Sequence, residues 1–210
     1  LFGQAELGWR EGLQAYRESG GRILLYAVFD PLTPASLEFV RQSLDEPAAV
    51  GIKIHPSMFQ CPADDDRWRP IWELAAARQV PILTHSWCIS DYNPSQRHSQ
   101  PALFARYARE FPQVSLILGH SGGRYEGHLA AAALARQWAN VYLDLSGDCY
   151  AVGLVEYLVA EVGAERILFG SDLTWVDSRT QLGMVLDAEI SDSDKACILR
   201  ENALRLFRIR

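Results

Sequence analysis

The chain has 210 residues, 49% of them hydrophobic, and a formal net charge of -6. That length and apolar content favour one large domain spanning 1–210 with a sizeable core. The acidic balance leaves no electrostatic footprint for nucleic acid, and no apolar run is long enough to cross a bilayer. Four widely spaced cysteines, Cys61, Cys88, Cys149 and Cys197, form no CxxC pair. They read as reduced thiols in a cytoplasmic protein.

The chain opens at Leu1–Gly3 without Met or a basic leader, in what reads as the middle of a helix. Strand and helix signals then alternate. Arg22–Phe29 reads as a buried strand closed by Asp30-Pro31, and Thr33 as the cap of a helix with Pro34 in its first position, running to Leu44. Val50–His55 is the second strand, and a helix over Arg67–Arg78 leads to the third, Val80–Thr84. The polar stretch Ser90–Gln100 reads as an active-site loop, and Pro101–Glu110 as the helix after it. The fourth strand is Val114–Leu118, followed by an Ala-rich helix over Glu126–Trp138. Val141–Leu145 and Ile167–Phe169 are the fifth and sixth strands, separated by a helix over Val152–Val162. Helices over Arg179–Ala188 and Ser193–Phe207 finish the chain, with Ser191 and Asp194 as a capping box that has Asp in place of Glu.

Apolar strands alternating with helices imply a parallel sheet covered on both faces, and each βα unit of roughly 25–35 residues fits a (β/α) barrel. Six strands fall short of the usual eight. The expectation is therefore an α/β TIM (β/α)8-type barrel, amino-terminally truncated, with six of eight strands visible.

Three apolar runs end on metal-competent side chains: His85, His120 and Asp172. The carboxyl end of a parallel strand faces the mouth where ligands bind, and imidazole with carboxylate is a donor set that zinc and manganese favour. Each residue also has a plainer reading: a core histidine, a histidine in a Gly-rich turn, or a helix cap. Lys53 and His55 alternate with Ile52 and Ile54, so both face one side of their strand. Lys53 could bind a substrate carboxylate, be carbamylated to bridge two metals, or sit in a structural salt bridge. Asp144 and Ser146 could orient an imidazole. Arg124 is a candidate anion anchor or a surface arginine, and Trp87 and Trp175 could wall a pocket or simply pack. His98 and His128 suggest no role.

With these residues in place, the chain resembles the amidohydrolase-2 family of metal-dependent barrels, the branch that includes aminocarboxymuconate-semialdehyde decarboxylase. The resemblance is carried, in order, by Gly51–Pro56 (GIKIHP), the strand ending in His85, Leu118–Gly123 (LGHSGG), Leu168–Asp172 (LFGSD) and the tail Ile198–Phe207. It implies that His85 and Asp172 are metal ligands and that His120 acts on the substrate or its attacking water. It also implies that Asp172 takes a proton from bound water. The visible strands would be the third to the eighth. The chain departs from the family in having no His-x-His pair anywhere. One histidine and one aspartate then remain as ligands, with His120 nearby, against the three that a catalytic zinc usually keeps. The expectation is poor metal binding and low stability for this chain alone.

The function these features imply is a metal-dependent hydrolase or decarboxylase, most simply with zinc and alternatively with manganese. Its substrate would be a small carboxylated molecule contacted by His55, Lys53, Arg124, Trp87 and Trp175. The chemistry leaves a homo-oligomer open and calls for neither nucleic acid nor a membrane. The alternative is a non-catalytic, degenerate barrel that binds a small ligand or a partner subunit.

Overall fold

A computed structural model describes residues 4–149 and 151–209. The opening Leu1–Gly3, on which the amino-terminal reading partly rested, lies outside the described residues. Helix α1 (Ala5–Glu18) is the helix anticipated at the start.

Six strands follow: β1 (Leu25–Val28), β2 (Ala49–Ile54), β3 (Ile82–His85), β4 (Leu116–Gly119), β5 (Val141–Asp144) and β6 (Ile167–Leu168). They form one sheet in sequential order, and every adjacent pair is parallel. The connections carry helices α2 (Ser36–Ser43), α3 (Arg69–Arg78), α4 (Ala105–Glu110), α5 (Glu126–Gln137) and α6 (Leu154–Val162). After β6 come α7 (Ser178–Leu186), α8 (Asp192–Ala196) and α9 (Asn202–Phe207).

The strand register explains why the site forms where it does. Ala27, Ile52, Ile82, Leu116 and Val141 are lateral partners, and all five are fully buried. Because strand side chains alternate, this row and the next, Ile54–Thr84–Leu118–Leu143, face the helices. Residues of the opposite parity, among them Lys53 and Leu83 between these rows and Gly119 and Asp144 just beyond them, face inward and line a cavity. Beneath the helices the core is aromatic. Trp72 of α3 stacks on Tyr107 of α4 with ring centroids 5.2 Å apart, and Trp68 meets Phe29 edge-on at 6.0 Å. Asn140 ties α4 to β4 by donating through Nδ2 to the carbonyls of Ala108, Phe111 and Val114.

Several boundaries differ from the sequence reading, each for a local reason. The second helix begins at Ser36 rather than after Thr33, because the Asp30 carboxylate captures the Thr33 hydroxyl and the Leu32 N–H in a turn. The helices expected from Arg67 and Pro101 open with 3₁₀ turns, Asp66–Trp68 and Pro101–Phe104. The closing helix is interrupted by a π turn over Cys197–Glu201. There the Ile198 carbonyl accepts the Phe169 N–H at 2.9 Å, so β6 stops one residue earlier than expected. Asn202 then donates through Nδ2 to the carbonyls of Ala164 and Ile167, fastening the last helix beneath β6. Ser191 caps α8 as expected, accepting from the Asp194 N–H at 3.1 Å. The Asp194 side chain takes the Ser191 hydroxyl hydrogen instead of reaching the backbone. Among the described residues, no helix is long and apolar enough to cross a membrane.

Candidate active site

Five side chains reach one mouth because the sheet is parallel and their strands end together. His85 is the last residue of β3, His120 follows β4 and Asp144 ends β5. Lys53 lies on β2 with His55 just beyond it. With Asp172, from the loop after β6, they line a cavity of about 850 Å³. The site residues read from the sequence are therefore brought together, Arg124, Trp87 and Trp175 included. Trp175 stands 90% exposed at the rim.

Three imidazoles form the centre. His55 and His85 stack with centroids 4.2 Å apart, and His120 meets His85 edge-on at 4.9 Å. Trp87 lies parallel to His85 on a 6.1 Å spacing and edge-on to His120. Burial is the leading cause that holds all three rings neutral. His55 is pushed down to about 3, with Lys53 and His120 adding to the effect, and His85 falls well below the ordinary histidine value. His120 is lowered as well, with nearby Asp144 opposing the shift. Neutral rings of this kind are competent as bases and as metal donors.

Hydrogen bonds fix the proton on each ring. The Nδ1 of His120 lies 3.0 Å from the Ser146 carbonyl, which can only accept, so Nδ1 carries the hydrogen and Nε2 keeps its lone pair. The Nδ1 of His55 accepts the Met58 N–H at 3.2 Å. Asp144 organises the surrounding turn. Its Oδ1 accepts from the His120 N–H at 3.1 Å, from the Ser146 N–H at 3.0 Å and from the Ser146 hydroxyl. Of the two residues expected to orient an imidazole, Ser146 meets the His120 ring, while Asp144 holds the backbone of the turn.

The turn after β4 is strained and tightly held. His120 and Ser121 both have positive φ, 67° and 46°, a conformation that costs about 1–3 kcal/mol per residue and tends to gather at functional sites. The Ser121 hydroxyl donates to the Asp144 carbonyl, and the Ser86 hydroxyl accepts from the Gly122 N–H. His128, for which sequence alone suggests no role, meets the Ser121 carbonyl through Nδ1 at 2.9 Å and supports the turn from behind. Gly147 leaves room for the imidazole: a Cβ there would stand 2.5 Å from Nδ1 of His120.

Lys53 is lowered to about 8, chiefly by burial, while Asp144 and Asp172 hold it up. It is therefore a cation at neutral pH. Asp172 has φ 58° and caps no helix; its carbonyl accepts from Trp175 and Val176, while Asp177 caps α7. Arg124 pairs with Asp148 at the mouth, so an incoming anion would compete with that carboxylate.

Sequence reasoning missed Tyr26 and Gln96, which line the same cavity. Tyr26 pairs with Gly51 across β1 and β2, and a Cβ on Gly51 would come within 3.1 Å of its ring. The glycine on the face shared by Lys53 and His55 was the available signal. Burial and Asp144 push the Tyr26 phenol well above its ordinary value. Gln96 lies in the loop expected to border the site, but nothing in its surroundings singled it out.

The donor chemistry at His85 and Asp172 suits a divalent ion. Among the described residues, however, no three His, Cys, Asp or Glu side chains are gathered to hold one, fewer than the three ligands usual for catalytic zinc.

The amidohydrolase family profile, Amidohydro_2, matches residues 13–209. The chain belongs to this family. Membership identifies an amidohydrolase-superfamily enzyme of the hydrolase or carboxy-lyase kind and agrees with the resemblance carried by the sequence motifs. No curated protein matches the chain in sequence. Among solved structures it is similar to the 2,6-dihydroxybenzoate decarboxylase from Rhizobium, with a TM-score of 0.75 and 19% identity over 99% of this chain and 78% of that one. A dihydroxybenzoic acid decarboxylase from Polaromonas sp., solved with manganese and the inhibitor 2-nitroresorcinol, gives 0.76 and 18%, covering 99% and 76%. An uncharacterised TIM-barrel protein from Bordetella bronchiseptica gives 0.80 and 16%, covering 95% and 72%. The fold is thus the TIM-barrel type, with six parallel strands among the described residues.

Proposed function

We propose that this chain carries the site of a metal-assisted carboxy-lyase or hydrolase for small carboxylated aromatic compounds, with decarboxylation the favoured reaction. The observation that carries the reading is His120. It is a neutral imidazole with Nδ1 tied back to Ser146 and its Nε2 lone pair uncommitted, held beside His85 in a cavity that also contains the Lys53 cation. Two similar structures bearing the names of dihydroxybenzoate decarboxylases support the substrate class.

His85 and Asp172 would hold a divalent ion: manganese on the precedent of the Polaromonas structure, or zinc on donor chemistry. When bound, that ion would supply Lewis acidity and neutralise developing negative charge. The remaining work falls to the chain's own groups. Lys53 draws the carboxylate inward, His55, Trp87 and Trp175 border the ring, and Arg124 with Asp148 guards the rim. His120 accepts a proton through Nε2, from a ring hydroxyl in decarboxylation or from attacking water in hydrolysis. In decarboxylation the C–C bond breaks with its electron pair left on the ring carbon, carbon dioxide leaves, a solvent proton relayed by Asp172 takes its place, and His120 returns its proton to the ring oxygen.

The test offers purified protein with Mn²⁺ a panel of hydroxybenzoates and, separately, aryl esters and lactones. Carbon dioxide release that falls by about 10²–10⁴ in His120→Asn supports the lyase. Ester or lactone opening without carbon dioxide release supports the hydrolase. Binding of the acids without turnover supports the non-catalytic barrel, the reading favoured by the shortage of metal donors.

A further inference from the structure

The loop over residues 90–100 does more than border the cavity. The Oε1 of Gln96 lies 2.9 Å from Nε2 of His85 and 3.0 Å from the Ser57 hydroxyl. Ser57 and Ser99 share a hydroxyl–hydroxyl bond of 2.6 Å, and the Ser57 N–H donates to the Ser99 hydroxyl oxygen at 3.0 Å. All four residues are buried. The cluster joins three separate elements: the segment after β2, the end of β3 and the loop.

Counting hydrogens settles the direction of this chain of bonds. An amide oxygen only accepts, so both the Ser57 hydroxyl and the ring Nε2 must donate to it. Ser57 then accepts from the Ser99 hydroxyl, and both hydroxyl hydrogens and the ring N–H have acceptors. Turning the amide over would make its NH₂ the donor to both partners. Ser57 would then have to donate to Ser99, leaving the hydroxyl hydrogen of a fully buried serine with no acceptor among the described residues. Burying an unmet donor is unfavourable, so the orientation with oxygen inward wins.

We propose that Gln96 is a positioning residue. Through the Ser99–Ser57–Gln96 relay it holds His85 as the Nε2–H tautomer, leaving Nδ1 as the nitrogen with no hydrogen-bond partner among the described residues. His85 and His120 thus present opposite nitrogens, Nδ1 on one ring and Nε2 on the other. The consequence for ligand binding rests on the role proposed for His85 above, but the tautomer does not. The relay also makes the loop a condition of the site: whatever displaces residues 90–100 releases the ring.

The test is the tautomer itself, read from the ¹⁵N shifts of His85 in ion-free, substrate-free protein, with His85→Gln used for assignment. Wild type is expected to show Nε2 protonated and Nδ1 bare. Gln96→Leu should shift the ring to mixed tautomers, and Gln96→Glu, which keeps an accepting oxygen, should restore the wild-type pattern. Affinity for Mn²⁺ alone should fall about tenfold or more in Gln96→Leu and recover in Gln96→Glu. A wild-type ring protonated on Nδ1, or an unchanged Nε2–H tautomer in folded Gln96→Leu, overturns the proposal. The wild-type spectrum decides even where a variant fails to fold. A correct tautomer in a protein that turns over no aromatic acid would defeat the proposed function and leave this inference standing.

Discussion

Lys53 is the most exacting place to test the electrostatics of the cavity. Burial lowers its pKa from the ordinary 10.5 to about 8, despite the nearby carboxylates of Asp144 and Asp172. At roughly 1.4 kcal/mol per pH unit, keeping this amine charged in the folded state costs about 3 kcal/mol at neutral pH. The sign follows from proton counts. Between about pH 8 and 10.5 the unfolded chain binds more protons at this lysine than the folded one, so stability rises with pH across that window and the cost applies in full below it. Lys53→Met removes the cost but also the cation that faces Asp144 and Asp172. We therefore expect the variant to be more stable than wild type at pH 7 by about 1–3 kcal/mol. The gap should close as the wild type gains stability towards pH 10.5. Urea unfolding of both proteins at several pH values measures it. The same substitution should raise KM for carboxylated ligands at least tenfold, since a hydrogen bond to a charged group is worth about 1.5–3 kcal/mol. A variant less stable than wild type at pH 7, with a gap independent of pH, would show that burial does not penalise the Lys53 charge.

Further predictions follow from the same geometry. Gly147→Ala places a Cβ 2.5 Å from Nδ1 of His120 at a residue with φ 85°, so the imidazole must move. A loss of about 1–3 kcal/mol in urea unfolding is expected, with kcat falling more than KM. His55 should show constant ring proton shifts through the neutral range, titrating only near about 3, and an ordinary titration near neutrality would contradict the burial assigned to it. Asn202→Ala strands the carbonyls of Ala164 and Ile167 and should destabilise by about 2–3 kcal/mol in denaturant. Trp72→Ala opens the aromatic core against Tyr107 and should cost about 3–5 kcal/mol by the same measurement.

The sequence made the scaffold legible because its signals are local. Ile52 and Ile54 alternate with Lys53 and His55, and this single pattern predicts which face of β2 meets the helices and which meets the cavity. His85, His120 and Asp172 stood out because each interrupts an apolar run at a strand end. What escaped depends on distant partners. Gln96 acquires its role from Ser57 and His85, neighbours 39 and 11 residues away in sequence. Tyr26 enters the site only through the glycine paired with it on the next strand. Helix starts slipped where a side chain competed for the backbone, as the Asp30 carboxylate does in taking the Leu32 N–H. The π turn at Cys197–Glu201 leaves no mark in the hydrophobic period. Pairing of Arg124 with Asp148 was likewise invisible, since 24 residues separate them.

In the function proposed above, His85 and Asp172 contribute to a divalent-ion site beside His120. Electron paramagnetic resonance titration of Mn²⁺ into wild type, His85→Ala, Asp172→Ala and the surface control Glu46→Gln tests it most directly. Binding is expected to weaken about tenfold or more in both site variants and to stay unchanged in the control. Equal binding in all four proteins would contradict it.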